Sequence, residues 1–382
     1  WLKTLALGDI ESRDGLRGIA LLSRLDQGRG GPESAFHLLV RLGVFSEDEQ
    51  LGLLRHRIHQ DFSPEVLANA EFLAREEEDP RHAPDWGEGP GPVAIDDPWT
   101  SDVDDALLLR TSGHQTTVHI LISDAAGRVP PDSPVAREGL LRAATLYLPT
   151  GKIPMMPPVL SEQALSLSAD APRTMLDFCC IFTDGDDAPQ LQIRPIRACL
   201  GARLTYDDAD RRIREPSDDP LDRMLVALSA LSGRLRARRE TRGAVRIDRD
   251  EVSVRVVEGR IRLATLSRES DSRRLVSEFM VLACTEAGRF AMTHDIPIVY
   301  RRQAPPEDPT ATAGLVPGTR AYAYRMVRSL RRAELTTQPA LHFGLGVVGY
   351  TQVTSPIRRF QDYLSHIQIK GFLEQEIGRA HV

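Results

Sequence analysis

Lysine is almost missing from this chain. Of 382 residues only Lys3, Lys152 and Lys370 are lysines, so 45 of the 48 basic side chains are arginine. That bias reflects either genomic base composition or a use for planar, bidentate phosphate contacts, which suit arginine better than lysine. Cysteine is also scarce. Cys179, Cys180, Cys199 and Cys284 show no CxxC or other ligand spacing, which argues against zinc and a disulfide frame and fits a reduced cytoplasm. No run approaches the roughly eighteen apolar residues of a membrane-spanning helix, so no membrane association is expected. A net charge of −6 supplies no overall basic field of the kind that advertises a nucleic-acid binder. With 41% hydrophobic and 27% charged residues, the composition is that of an ordinary soluble protein with one large domain and a small one.

What is present is acid, concentrated in one place. Residues 93–110 read V-A-I-D-D-P-W-T-S-D-V-D-D-A-L-L-L-R, an acidic loop pinned between two apolar segments. Asp96, Asp102, Asp104 and Asp105 fall within ten residues. Carboxylates that close raise one another's pKa and oppose folding unless a cation sits among them. Hard divalent ions with oxygen ligands, magnesium or manganese, meet that need. A solvated turn is the plain alternative, since Asp-Asp-Pro is ordinary turn chemistry, but a surface loop does not need apolar anchors on both sides. An EF-hand is excluded by the missing glycine and glutamate at their loop positions.

D-x5-D-V-D-D-A resembles the motif of the ribonuclease II family, the catalytic domain shared by bacterial ribonucleases II and R and by the exosome's 3′→5′ exoribonuclease. The four family aspartates fall on Asp96, Asp102, Asp104 and Asp105 without a gap. Further blocks follow in family order: Tyr147-Leu148-Pro149 with Ile153 to Pro157 and Leu165-Ser166-Leu167, then Leu200 to Asp210, then Thr354-Ser355-Pro356-Ile357-Arg358-Arg359-Phe360 with Asp362 and His366. The resemblance runs from about Val93 to Phe372.

It implies an α/β (α+β) catalytic domain over residues 93–375, a largely antiparallel sheet wrapped by helices around a channel for single-stranded RNA. It also implies a magnesium-dependent 3′→5′ exoribonuclease releasing nucleoside 5′-monophosphates, cytoplasmic and monomeric. In this reading the four aspartates hold one or two Mg²⁺, or Mn²⁺, in two-metal hydrolysis, and Asp104 and Arg358 are catalytic. Tyr147 would stack on a base near the 3′ end, Tyr206 would lie near the 2′-hydroxyl, and Glu278 near the terminal ribose. Read without the resemblance, Tyr147 is a core or turn aromatic and Glu278 a solvated glutamate. Relatives often have phenylalanine at Ile247, and an isoleucine cannot stack.

Residues 1–75 carry apolar residues at helical spacing in Ala35–Leu42 and Glu65–Ala74. A helical or winged-helix module is expected there in place of the family's cold-shock barrels, either guiding RNA or capping the catalytic domain. Residues 76–92, charged and rich in Pro and Gly, read as a linker. Thr117–Ser123 reads as a buried strand, with His119 a core residue. Leu221–Arg242 and Ser272–Met292 read as helices, the second with Leu275, Phe279, Leu282 and Ala283 on one stripe. The first ends in R-L-R-A-R-R-E-T-R, an RNA-channel lining or a solvated face. A helix capped by Asp207 or Asp208 is expected after Tyr206.

Ser355 is a ready N-cap and Pro356 suits the first helical position, so a helix is expected from there. Arg358 and Arg359 in its first turn would make a phosphate site, with Asp362 holding Arg358. Gly344-Leu345-Gly346-Val347-Val348-Gly349 satisfies G-x-G-x-x-G, yet its β-branched surroundings favour extended chain, so no nucleotide cofactor is expected. The chain opens on Trp1 without a methionine, and an unknown length of N-terminus is expected to be absent. Residues 376–382 read E-I-G-R-A-H-V, as a common sequencing adapter would encode, so the natural sequence is expected to stop near Gln375. Family members usually continue into an S1 RNA-binding barrel, and without it RNA binding is expected to be weak. A catalytically inert RNA binder and a metal-dependent phosphatase for small esters are the competing classes. The second accounts for the acidic loop but not for the block at 354–359.

Overall fold

The computed structural model describes residues 1–25, 30–76, 85–183, 188–245, 251–266, 270–308, 310–316 and 319–380. Ile247 lies outside them. Two compact units divide the chain, Trp1–Ser63 and Pro64–Val382. In the smaller unit α1 (Leu2–Ala6), α2 (Arg13–Leu25), α3 (Pro32–Arg41) and α4 (Leu51–Arg55) are the regular elements among the described residues. Its core is Leu5, Leu22, Ala35, Leu39 and Phe45.

The boundary falls at residue 63 rather than 75, because α5 (Pro64–Arg75) packs within the larger unit, against α7 and a π-helical turn at Val159–Ala164. Of the expected linker, residues 77–84 lie outside the described residues. The larger unit continues with β1 (Val93–Asp96), β2 (Asp105–Ser112), β3 (Gln115–Ser123), α6 (Ala125–Arg128), α7 (Pro134–Arg142) and the hairpin β4 (Leu146–Leu148) with β5 (Gly151–Ile153). Strands β6 (Arg173–Thr183), β7 (Gln190–Ala198) and β8 (Ala202–Thr205) complete the sheet, in the order β7-β6-β3-β2-β1-β8. Every pairing is antiparallel except β1 beside β8. The expected antiparallel-rich α/β fold is therefore the fold observed.

Strand alternation explains the two faces of the sheet. Val93 and Ile95, Leu107 and Leu109, Val118, Ile120 and Ile122, and Leu176 and Phe178 point one way, and helices cover them. Those helices are α8 (Tyr206–Arg214), α9 (Pro220–Thr241) and, after the hairpin β9 (Glu251–Val257) with β10 (Arg260–Leu266), α10 (Asp271–Thr293). The stripe Leu275, Phe279, Leu282 and Ala283 of α10 is buried, as its spacing predicts. Local caps set the starts: Asp219 and Pro220 for α9, Ser270 for α10 and Thr205 for α8. Thr205 caps α8 in place of Asp207 or Asp208 because its hydroxyl reaches the Asp208 N–H, which leaves both aspartates inside the first turn.

The chain closes through β11 (Tyr300–Arg302), α11 (Arg320–Ser329), β12 (Glu334–Thr336), the hairpin β13 (Leu341–His342) with β14 (Val347–Val348), and α12 (Phe360–Ala380). The glycine-rich segment forms this tight hairpin rather than a strand leading into a helix. Its glycines serve the turn: Gly349 has φ +72°, and a Cβ on Gly288 of α10 would lie 1.7 Å from the Gly349 carbonyl oxygen. That close approach seats Tyr350 and Thr351 on α10 and aims the following residues at the sheet. Among the described residues no helix is long and apolar enough to cross a membrane.

Candidate active site

The acidic loop leaves β1 at Asp96 and enters β2 at Asp105. Ser166 fixes its middle, accepting from the Val103 N–H at 3.0 Å and donating to the Ser101 carbonyl at 2.9 Å. Leu167 N–H donates to the Val103 carbonyl at 3.0 Å, so the Leu165-Ser166-Leu167 block acts as a backbone splint for the loop.

Two sequence blocks 254 positions apart meet here. Arg358 Nε donates to Asp104 Oδ2 at 3.0 Å, and the Ile357 N–H to Asp104 Oδ1 at 3.2 Å. Arg358 Nη2 donates to Ser355 Oγ at 2.9 Å, and its carbonyl accepts from the Thr145 N–H at 2.9 Å. This last contact draws the Tyr147 hairpin against the same loop. Tyr147 and Lys152 face each other across β4 and β5, and both reach one carboxylate. Tyr147 OH donates to Asp102 Oδ2 at 2.8 Å, and Lys152 Nζ to Asp102 Oδ1 at 2.7 Å and Ser101 Oγ at 2.8 Å. Glu162 lies 3.0 Å from the same ammonium.

The parallel register Asp96↔Thr205 brings the start of α8 beside the loop. Tyr206 stacks under the Arg273 guanidinium at 3.9 Å, and Arg273 pairs with Asp97 at 2.6 Å. Arg203 of β8 donates to the Thr100 carbonyl.

Three aspartates therefore have a cation of their own: Asp97 with Arg273, Asp102 with Lys152, Asp104 with Arg358. Asp96 and Asp105 carboxylates have neither ion pair nor hydrogen bond among the described residues. Burial pushes the Asp96 carboxyl up to about 6, against the opposing pull of Arg203 and Arg358. Asp104 is pushed up to about 7, again by burial and despite Arg358. Burial, then Asp96 and Asp104, hold Asp105 well above the usual carboxylate range. Buried carboxyls in this state bind a proton or a cation. Arg358 stays charged: burial works against it, but Asp104 and Tyr147 raise its pKa further.

Three placements differ from expectation. Helix α12 starts at Phe360, four residues late, because the Ser355 hydroxyl is engaged by Arg358 while the Ser355 N–H donates to Asp362 at 2.8 Å. Asp362 holds Arg359, at 2.7 Å, rather than Arg358, and Arg359 also donates to Thr354 Oγ1. Arg359 is thus tied to the turn, and its charge still pulls on Asp105. Glu278 is neither solvated nor open: it is buried in a two-pronged pair with Arg239, at 3.0 and 2.5 Å.

Lys152, Arg203 and Arg273 escaped sequence reasoning, while Ser166 and Arg239 fell inside blocks it named without their partners. Only Lys152 carried a signal, being one of three lysines in an arginine-rich chain. Replacing it with methionine strips Asp102 of its counter-charge, so Tyr147 loses its fixed partner. For the RNA substrate that the resemblance implies, we expect Lys152→Met to raise KM about tenfold, the scale of one base stack, with Lys152→Arg recovering most of it. Equal KM for wild type and Lys152→Met in steady-state assays would remove this role.

Another set of metal-capable side chains lies elsewhere on the sheet, where ligand atoms of His119, Asp177 and Cys179 lie within 4.8 Å of one another. Those groups are already closed. His119 Nδ1 sits 3.0 Å from Asp177, which also accepts from Arg194 at 3.0 Å. Burial and Asp177 push the Cys179 thiol up to about 11, away from the thiolate a metal needs.

The RNB domain family matches residues 92–375. An uncharacterised ribonuclease of Synechocystis sp. is 32% identical over 91% of this chain and 52% of its own length. The structure resembles that of an active-site mutant of the Dss1 exoribonuclease from Candida glabrata (TM-score 0.82, 23% identity, 98% of this chain and 52% of that one). It also resembles Mycoplasma genitalium RNase R in complex with ribose-methylated single-stranded RNA (TM-score 0.74, 20% identity, 88% and 57%). This chain spans about half the length of the curated relatives it matches.

Proposed function

The chain belongs to the RNB-domain (ribonuclease II) family, and on that premise we propose that it is a cytoplasmic, monomeric 3′→5′ exoribonuclease that hydrolyses single-stranded RNA to nucleoside 5′-monophosphates. The observation carrying this reading is the Asp104–Arg358 pair set beside two open, half-buried carboxylates. Asp96 and Asp105 have the donor chemistry for a hard divalent cation, anionic oxygen without a competing partner. They would hold one or two magnesium ions, with manganese able to substitute. A metal bound there would supply Lewis-acid polarisation of the scissile phosphate and acidification of a water, as in two-metal hydrolysis.

The protein's own residues do the rest. Asp102, with both oxygens engaged, sets the Tyr147 hydroxyl and leaves the half-exposed ring for a base, a contact of about 1–3 kcal/mol. Tyr206, clamped by Arg273, faces the ribose. Arg358 offsets charge building on the phosphate oxygens, while Asp104 holds its guanidinium in place. Arg359 and Glu278 act one step removed, through the turn at 354–359 and through Arg239.

Incubating the protein with 5′-labelled single-stranded RNA and Mg²⁺ should give a ladder that shortens from the 3′ end, stopped by EDTA. Full-length RNA after incubation with either Mg²⁺ or Mn²⁺ would sink the proposal. The raised carboxyls add a pH signature. The folded-state pKa values of Asp96 and Asp105 lie above the unfolded value, so their contribution to stability is fully present below about pH 4 and is lost as pH rises through the raised values, about 6 for Asp96. A cation replaces the lost protons. The Mg²⁺-induced rise in melting temperature should therefore be larger at pH 8 than at pH 5, and a rise that shrinks with pH would contradict metal binding at these carboxylates.

A further inference from the structure

Trp99 is a large indole placed midway in the acidic loop, three residues from both Asp96 and Asp102, and 46% of it is exposed. A single exposed aromatic is ordinary, but this one lies inside the acidic loop and is stacked rather than bare. The β9–β10 hairpin supplies a close partner, the Arg255 guanidinium, 3.7 Å from the ring centroid. The hairpin is held over the loop by a second link, the Val256 N–H donating to the Pro149 carbonyl at 2.8 Å, two residues beyond Tyr147.

Alternation along the hairpin sorts its side chains. Val254 and Val256 with Ile261 and Leu263 share one face, and Arg255 shares the other with Arg262, its direct cross-strand neighbour. Like charges directly opposite on a two-stranded ribbon are destabilising. Neither guanidinium is paired with a carboxylate among the described residues. An anion between them would relieve the repulsion.

We propose that Trp99, Arg255 and Arg262 form a nucleotide subsite upstream of the scissile phosphate, the Trp99–Arg255 stack taking a nucleobase and the two arginines its phosphate. The inference rests on the ribonuclease reading, which puts the 3′ end at Asp96 and Asp105 and the preceding nucleotides along the exposed rim. Stacking on an aromatic ring is indifferent to base identity, so the subsite favours unpaired RNA without selecting sequence. A purely structural clasp between loop and hairpin would need the stack but not Arg262.

The test uses the whole chain in EDTA, so that RNA stays intact, with a uridine decamer as probe. Tryptophan emission should change on binding, and Trp99→Phe should abolish that change while keeping affinity within about threefold. Trp99→Ala should weaken binding about tenfold, with the catalytic loss in Mg²⁺ carried by KM. Arg262→Met should lower the slope of log affinity against log salt by about one. If wild type binds the decamer, yet Trp99→Ala and Arg262→Met bind it equally well and with the same salt slope, the subsite is wrong and the ribonuclease reading stands. If wild type binds no RNA at all, that reading falls and takes the subsite with it.

Discussion

Asp104→Asn should reduce kcat for RNA hydrolysis on the order of 10³-fold, the scale of losing one charge-organising group from a preorganised site, while RNA affinity stays close to wild type. Asparagine keeps the side chain's shape and can still accept from the Ile357 N–H. What it loses is the charge that faces Arg358 at 3.0 Å. Arg358 has no other carboxylate hydrogen-bonded to it among the described residues, so its guanidinium is free to leave the position from which it meets a phosphate. RNA binding draws on Tyr147, Tyr206 and the arginines other than Arg358, none of which the substitution touches, whereas Arg358 acts on the charge that builds at the scissile phosphate. Rapid-quench kinetics on labelled RNA beside anisotropy in EDTA separates the two quantities. Undiminished cleavage by Asp104→Asn would refute the assignment of this site.

Lys370→Met should destabilise the larger unit by about 3–5 kcal/mol, the cost of leaving a buried charge without its partner. Lys370 is buried on α12 and donates to Asp124, itself 1% exposed. Asp124 also caps α6 by accepting from the Gly127 N–H at 2.9 Å, and α12 follows directly on the turn that carries Arg358. A methionine fills the same volume but supplies no counter-charge, and the aspartate cannot reach water. Urea unfolding followed by far-UV circular dichroism measures the loss, and a shift below about 1 kcal/mol would show the pair to be a surface-like contact. Adding Asp124→Asn to Lys370→Met should recover part of the stability, because the unpaired charge is then gone.

Two of the three lysines thus neutralise aspartates, Lys152 at the loop and Lys370 on α12. Their scarcity was visible in the chain, but their partners were not, since Asp102 and Asp124 lie 50 and 246 positions away. The same holds for Arg203 and Arg273. In an arginine-rich sequence each is one cation among many, and only the folded sheet puts them beside the aspartates. The error at Ser355 has a similar origin. Ser-Pro is a sound helix start in isolation, but here Asp104 recruits Arg358 and Arg358 recruits the serine hydroxyl, so the first helical turn slips to Phe360. Glu278 reads as either a ribose contact or a solvated glutamate in the chain because its partner, Arg239, sits 39 positions earlier on another helix.

The sequence by itself determined the strand at 117–123, the two long helices and the two blocks that make the site, because alternation, helical spacing and contiguous motifs are encoded over a few neighbouring residues, and the antiparallel-rich fold followed from the family those blocks resemble. Only the tertiary structure decided which carboxylates are closed and which stay open. Charge pairing depends on distance through space and on exclusion of water, and four aspartates that look alike in the chain become two neutralised groups and two open ones once the sheet, the Tyr147 hairpin and the Arg358 turn close around them.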